Sequence, residues 1–299
     1  MIATSLLWIP FTLLAAAGQT ARNAMQRELT AALGTVGATH VRFLFGFPFA
    51  IVFLAAVLFF TGLPLPTPPA VFWPWVLLGA GAQIVATALM LATMNDRSFV
   101  VTIAYIKTEA IQGALFGLIF LHDPLTIGMV VAILVATAGV VAMSLKGKGA
   151  MEGGYRPVAL GLISGGMFAV SAVGYRGAIL SLGLPSFVLA ATFTLALGLI
   201  FQAGILTLYL ALRDRAVLGA IVKAWRPSLF AGFMGATASQ FWFLAFALAS
   251  VANVRTLALV EVLFAQAISF FIFKQPTTKR DALGISLIVA GVLLLIWVQ

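Results

Sequence analysis

Residues 106–141, IKTEAIQGALFGLIFLHDPLTIGMVVAILVATAGVV, and residues 259–296, LVEVLFAQAISFFIFKQPTTKRDALGISLIVAGVLLLI, are two versions of one pattern. Each holds a single glutamate inside an apolar run, then a short polar gap with a proline, then a second apolar run. Offsetting the chain by 152 residues aligns Ala82–Gly147 with Met234–Gln299 without a gap. The offset superposes Glu109 on Glu261, Ser98 on Ser250, Pro124 on Pro276, Ala138 on Ala290 and Gly139 on Gly291. The two glutamates are the only acids deep inside apolar runs, so their coincidence is the informative match. Upstream the correspondence is weaker, and Arg22 meets Arg176 only after a slip of two residues.

Working outward, apolar runs fill the chain. A bilayer-spanning helix needs roughly 20 such residues, and the runs predict ten spans. The first five are Ile2–Thr20, Val36–Phe60, Ala70–Thr93, Ser98–Leu121 and Leu125–Leu145. The second five are Pro157–Ser181, Pro185–Leu212, Pro227–Ser250, Ala252–Phe273 and Asp281–Val298. Pro48 and Pro74 fall within or near spans and are expected to kink them. Small residues at Ala15–Ala17 invite a cleavable leader, but the start is not basic and nine similar runs follow, so the first run reads as a span. The sequence thus divides into a five-helix repeat over 1–147, a linker over 148–156 and a second five-helix repeat over 157–299. An odd number of helices per repeat sets the two in opposite orientations, the inverted-repeat plan of secondary transporters.

Composition agrees. Of 299 residues, 63% are apolar and 8% charged, against about 25% charged in a soluble domain. That excludes soluble globular, disordered and disulfide-stapled classes, and there is no cysteine. The net charge of +9 comes from basic residues scattered through short gaps, which argues against nucleic-acid binding and for the positive-inside rule. Thirteen of the seventeen basics fall in odd-numbered gaps and none in even-numbered gaps, with Arg176 and Arg255 near even-gap helix ends. By that rule the odd gaps face the cytoplasm and both termini lie outside.

Catalytic and metal constellations are absent. The histidines are His40 and His122, and Asp96, Asp123, Asp214 and Asp281 all fall at span ends or in gaps. No metal-ligand spacing, nucleophile elbow or phosphate loop is found, so neither an enzyme nor a cofactor is expected. The intramembrane charges are the functional signal, because a charge at mid-bilayer is costly and usually faces a cavity or a partner. Four stand out: Lys107, Glu109, Arg255 and Glu261. Thr102, Tyr105, Glu109 and Gln112 recur at helical spacing and predict one polar face. Lys107 lies about 200° round an ideal helix from Glu109, which predicts that it pairs elsewhere, with Glu261 as the partner. Either a structural ion pair joining the halves or a substrate- or proton-coupling site fits that arrangement.

The remaining polar residues have plainer readings. Gln19, Arg22 and Asn23, like Tyr175 and Arg176, read as interfacial caps and snorkelling side chains. His40 and Arg42 stand near the start of a span, where snorkelling is also open to them. Gln83, Gln240 and Trp242 fall deeper, as cavity wall or interhelical glue. Gly113 and Gly117 correspond to Ala265 and Ser269, a small-residue stripe that suits packing within the chain or a dimer interface.

These two long runs resemble the EamA-type branch of the drug/metabolite transporter superfamily, ten-helix carriers built of two repeats. Members often show a Glu-Pro pair in the fourth and ninth helices, an acid closing those helices, and then a glycine-rich helix. Glu109 and Glu261 fit the first element, with Ala110 and Val262 in place of the proline. Asp123 fits the second, where Gln275 departs from it, and Arg42 resembles the basic residue common on the second helix. The resemblance implies a multi-pass plasma-membrane carrier working by alternating access around a central cavity, with the fifth and tenth helices bracing it. Characterised relatives include amino-acid and metabolite exporters, and many are described with cytoplasmic termini, opposite to the charge count. The expected function is export of a small amphipathic metabolite such as an amino acid, with proton coupling the simplest mechanism. Efflux of toxic or cationic compounds is one alternative, and a membrane scaffold or lipid-handling subunit is another. The expected partners are the solute and the bilayer, in a monomer or homodimer.

Overall fold

The computed structural model describes residues 6–96, 99–144, 155–271 and 278–298. Every regular element among them is helical. In chain order these are α1 (Trp8–Leu44), α2 (Phe47–Thr61), α3 (Phe72–Asp96), α4 (Phe99–Ile106), α5 (Glu109–Leu121), α6 (Ile127–Ser144) and α7 (Tyr155–Ser181). There follow α8 (Phe187–Arg213), α9 (Arg215–Lys223), α10 (Trp225–Leu248), α11 (Val251–Leu257), a 3₁₀ turn (Ala258–Val260), α12 (Glu261–Phe271) and α13 (Lys279–Trp297). Among the described residues, seven stretches are long and apolar enough to cross a membrane: Met25–Thr61, Phe72–Asn95, Thr102–Leu121, Tyr155–Ser181, Phe187–Arg213, Trp225–Leu248 and Lys279–Trp297. The chain is an all-α, multi-pass membrane protein. Large apolar side chains such as Phe59, Phe60, Ile127, Leu208 and Leu293 face outward, where acyl chains rather than water would cover them.

The first turn is not where the sequence placed it. The helix runs past Thr20 as far as Leu33 and breaks only at Gly34 (φ 66°, ψ 175°). That backbone conformation is open to glycine without steric cost, so this residue permits the reversal between the first two spanning segments. Arg22 and Asn23 therefore stand within the helix and not at its end, and both are buried. Pro48 acts as expected: it sits in the first turn of α2, and α1 ends at Leu44, the residue whose carbonyl it cannot bond. Pro74 does not kink α3. It is the third residue of that helix, where a missing N–H leaves nothing unpaired. Residues 148–154 of the expected linker, together with Arg97, Lys146, Lys148, Lys274 and Gln275, lie outside the described residues, while Tyr155 and Arg156 already belong to α7.

The helices associate in a defined pattern. α3 packs along α7, α1 along α10 and α6 along α13, with α2 against α8 and α5 against α11. Lipid offers no hydrophobic drive between apolar helices, so close backbone approach through small residues must supply the contact energy. A Cβ on Gly174 of α7 would lie 2.8 Å from the Cα of Gly79 on α3. At the α6–α13 crossing a Cβ on Gly291 would lie 2.7 Å from the backbone nitrogen of Ala136. Gly113 and Gly117 pack on Val251 of α11, so this small-residue pair is used within the chain.

The end of α5 shows how polar groups close a helix in this fold. His122 adopts a left-handed conformation (φ 54°) and ends the helix, and the Asp123 backbone N–H donates back to Gly117 O at 3.1 Å. The Asp123 carboxylate then accepts from Arg176 on α7 at 3.0–3.2 Å and from the Val251 N–H that opens α11 at 3.3 Å. Arg176 also donates to the Phe246 and Ala249 carbonyls at the end of α10, at 2.5 and 2.7 Å. Arg176 is thus a tie between four elements and not a snorkelling side chain.

Val217 on the amphipathic helix α9 abuts Gly37, just past the Gly34 turn, whereas the 62–71 loop follows Thr61 at the far end of the same spanning segment. The chain has no native cysteine. On the charge count, a Lys223→Cys variant in cells should react with a membrane-impermeant thiol reagent only after permeabilisation, and Thr67→Cys should react in intact cells. The opposite pattern would invert the orientation.

Candidate functional site

Both matched glutamates begin a helix directly after a break in the backbone. Between α4 and α5 the chain tightens at Lys107 and Thr108: Thr108 N–H donates to Tyr105 O at 3.4 Å and Ala110 N–H to Lys107 O at 3.3 Å, both three residues apart. In the second break the 3₁₀ turn Ala258–Val260 precedes Glu261. Short or interrupted helices at corresponding positions of two halves are a known mark of transporter binding sites. Such irregular backbone is tolerated in a membrane only where protein or a cavity surrounds it.

The breaks bring the charges together. Lys107 Nζ lies 2.5 Å from Glu261 Oε2, as the sequence led us to expect. It also lies 3.6 Å from Glu109 Oε1, which the sequence argument had excluded. The 200° separation assumed one continuous α-helix, whereas the tightened turn re-aims Lys107 and its four-carbon stem spans the remaining gap. Arg255 Nη1 approaches the same Glu109 oxygen, also at 3.6 Å. Gln19 on α1 donates to Glu261 Oε2 at 3.0 Å and accepts from Trp242 Nε1 at 3.1 Å. The guanidinium of Arg255 lies over the rings of Trp242 and Phe246, 4.8 and 5.2 Å from their centroids, a favourable cation–π arrangement. Lys107, Glu109, Arg255 and Glu261 are all buried, none more than 4% exposed.

A second polar layer lies next to this one. Arg42 is buried and donates to the hydroxyls of Thr87 at 3.2 Å and Ser239 at 3.4 Å. Gln202 donates to Gln83 at 2.9 Å, and the Tyr175 hydroxyl stands 3.5 Å from the same Gln83 oxygen. Arg22 is held by its neighbour Asn23 at 2.7 and 3.2 Å. The stems of Arg22 and Arg42 run side by side over Gly235 on α10. His40 meets Thr207 at 3.0 Å. None of Arg22, Asn23, His40, Arg42 or Tyr175 snorkels to an interface, because each is buried by neighbouring helices. Between the layers is a cavity lined by Gln19, Gln83, Ser171, Tyr175, Ser239 and Arg255 with Phe168, Trp242, Phe243 and Phe246, in which there is room for about one water molecule. The site is closed.

Other expected members stand apart. The face proposed for Thr102, Tyr105, Glu109 and Gln112 is not a single wall, because the break at Lys107 and Thr108 divides it. Tyr105 packs over Gly161 of α7, and Gln112 donates to Thr108 at 3.1 Å and to Leu162 O at 3.4 Å. Gln240 turns away to Thr192 at 2.8 Å and serves as interhelical glue. By position alone Gln19 and Arg22 read as caps; the signal pointing elsewhere is their helical stripe with Asn23 and Gln26, on a chain with no proline between Pro10 and Pro48. Ser171 and Ser239 carry no comparable signal, since lone serines are ordinary in membrane helices. Among the described residues no cluster of His, Asp and Glu is arranged to hold a metal.

Removing one partner of a buried ion pair typically costs about 3–5 kcal/mol, because the other charge is left uncompensated. Lys107→Met should therefore lower the melting temperature of the protein in detergent markedly. Adding Glu261→Gln to that variant should restore much of the loss. Additive losses would show that Lys107 and Glu261 do not act as a pair.

No protein-family model matches the chain, and no curated protein matches it. A solved crystal structure of a protein is similar over 97% of this chain and 99% of its own, with a TM-score of 0.67 and 15% sequence identity. At that identity the likeness is one of fold.

Proposed function

We propose that the protein is a secondary transporter of the EamA type in the plasma membrane, moving a small amphipathic metabolite by alternating access. The observation that carries this reading is the pair of interrupted helices, matched in sequence 152 residues apart, whose glutamates converge on one lysine beside a closed, aromatic-lined cavity. The packing pattern supports two inverted five-helix repeats: α1 with α10 mirrors α7 with α3, while α6 with α13 and α2 with α8 pair each element with its own counterpart. Ten spans follow if the stretch of α1 before Gly34, the apolar helix α6 and the broken segment α11–α12 each cross in addition to the seven stretches above. The aromatic lining and the ring of amides and hydroxyls suit a solute with both apolar and polar parts.

Opening the cavity would separate groups that now neutralise one another, so a proton or a solute must take over part of that neutralisation as the site opens. That supports proton coupling. Each glutamate already faces Lys107 or Arg255, which favours metabolite transport over direct capture of a cationic drug by the carboxylates. In proteoliposomes, Glu109→Gln and Glu261→Gln should each reduce solute flux about tenfold or more while the protein remains folded in the membrane. Each removes a charge-assisted contact worth about 1.5–3 kcal/mol. Unchanged flux in both variants would remove the glutamates from the mechanism, and a protein that moves no solute would favour the scaffold reading.

A further inference from the structure

Four cations, Arg22, Arg42, Lys107 and Arg255, and two carboxylates, Glu109 and Glu261, are buried in the two polar layers; Arg255 lines the cavity between them, and Arg42 reaches its wall through Ser239. Lys107 and Arg255 answer the two glutamates. Among the described residues neither Arg22 nor Arg42 has a carboxylate within 4 Å. Arg22 rests on the Asn23 amide, and Arg42 on two hydroxyls at the long end of hydrogen-bond distance. Donors remain unused: Arg22 Nη1, Arg42 Nε and Arg255 Nε are buried without a hydrogen-bond partner, and so is the hydroxyl of Ser171 on the cavity wall. Buried guanidinium groups normally have their N–H groups satisfied. A fork of unsatisfied donors next to an aromatic-lined cavity is the complement of an oxyanion.

We propose that the transported solute is an organic anion, whose carboxylate or phosphate head is received by Arg42 and Arg255 with the Ser171 hydroxyl, and whose apolar body lies against Phe168, Phe243 and Phe246. This rests on the transport reading and narrows its solute from any amphipathic metabolite to one with net negative charge. Glu109 Oε1 makes no hydrogen bond but lies 3.6 Å from both Lys107 and Arg255, and Glu261 is paired with Lys107, so the ammonium group of a cation or zwitterion would compete with cations already in place. The present arrangement leaves room for about one water in the cavity, so the anion enters as the helices part. Its charge then supplies what the protein lacks.

The test is the melting temperature of the purified full chain in lipid nanodiscs, titrated with benzoate, phenyl phosphate, benzamide, phenylalanine and benzylamine. Binding to the folded state raises the melting temperature by linkage. A saturable rise is expected with benzoate or phenyl phosphate, the stronger of the two identifying the head group, and none of similar size with the neutral, zwitterionic or cationic probes. Arg42→Gln should weaken the effective anion by roughly tenfold or more, as loss of a charge-assisted bond implies, and the exposed Lys223→Gln should leave it unchanged. If Arg42→Gln does not fold, Ser171→Ala decides: it removes an unpaired hydroxyl and should weaken the same anion several-fold. No shift with either anion, a larger shift with benzylamine or phenylalanine, or full affinity in both site variants would overturn the proposal. Proteoliposome flux separates this failure from that of the transport reading. Flux of benzylamine without anion binding refutes only the anion, whereas anion binding without flux of that anion refutes only transport.

Discussion

The structure depends on neutralising charge at two broken helices. A cation or carboxylate near the bilayer centre costs about 3 kcal/mol even on the most lenient scale. Interrupting a helix there also frees backbone groups that lipid cannot satisfy. The chain meets both demands in one place. Short-range turns at Lys107–Thr108 and Ala258–Val260 keep the backbone bonded, and the same turns aim Glu109 and Glu261 at one ammonium group. Lys107 therefore ties the first half of the chain to the second.

That contact requires helices to approach closely, which explains the placement of small residues. α3 and α7 meet through Gly79 and Gly174, and α6 and α13 through Gly291 and Ala136. Side chains seat on glycines at the first of these crossings, the Tyr175 ring on Gly79 and the Trp75 ring on Gly177. The specific polar ties sit elsewhere. Asp123 and Arg176 fasten the ends of α5 and α10 and the start of α11, while Lys107, Gln19 and Trp242 fasten the centre.

Much of the site was legible in the sequence because charge is rare here. With 8% charged residues, each buried one has a cause, and the offset that superposes Glu109 on Glu261 singles out the two glutamates, though not the breaks that precede them. The Lys107–Glu261 pair could be argued by elimination. The Lys107–Glu109 contact could not, because the argument relied on an uninterrupted 3.6-residue period and the interruption itself carries no proline or glycine: the residues there are Lys107 and Thr108, and Ala258 to Val260. Arg22 escapes sequence reading for a related reason: it lies near the expected end of the first span, and only the position of the turn, at Gly34, puts it inside the helix. Arg42 starts its span where expected, and its burial depends on Thr87 and Ser239 of neighbouring helices.

The sequence by itself determined that the chain crosses a membrane repeatedly as helices, since apolar length and the hydrogen-bond demand of lipid leave no other solution. It also determined which few side chains must find partners. The tertiary structure decided who those partners are, because a helix face is known from spacing only while the helix continues, and both decisive faces lie at points where it stops.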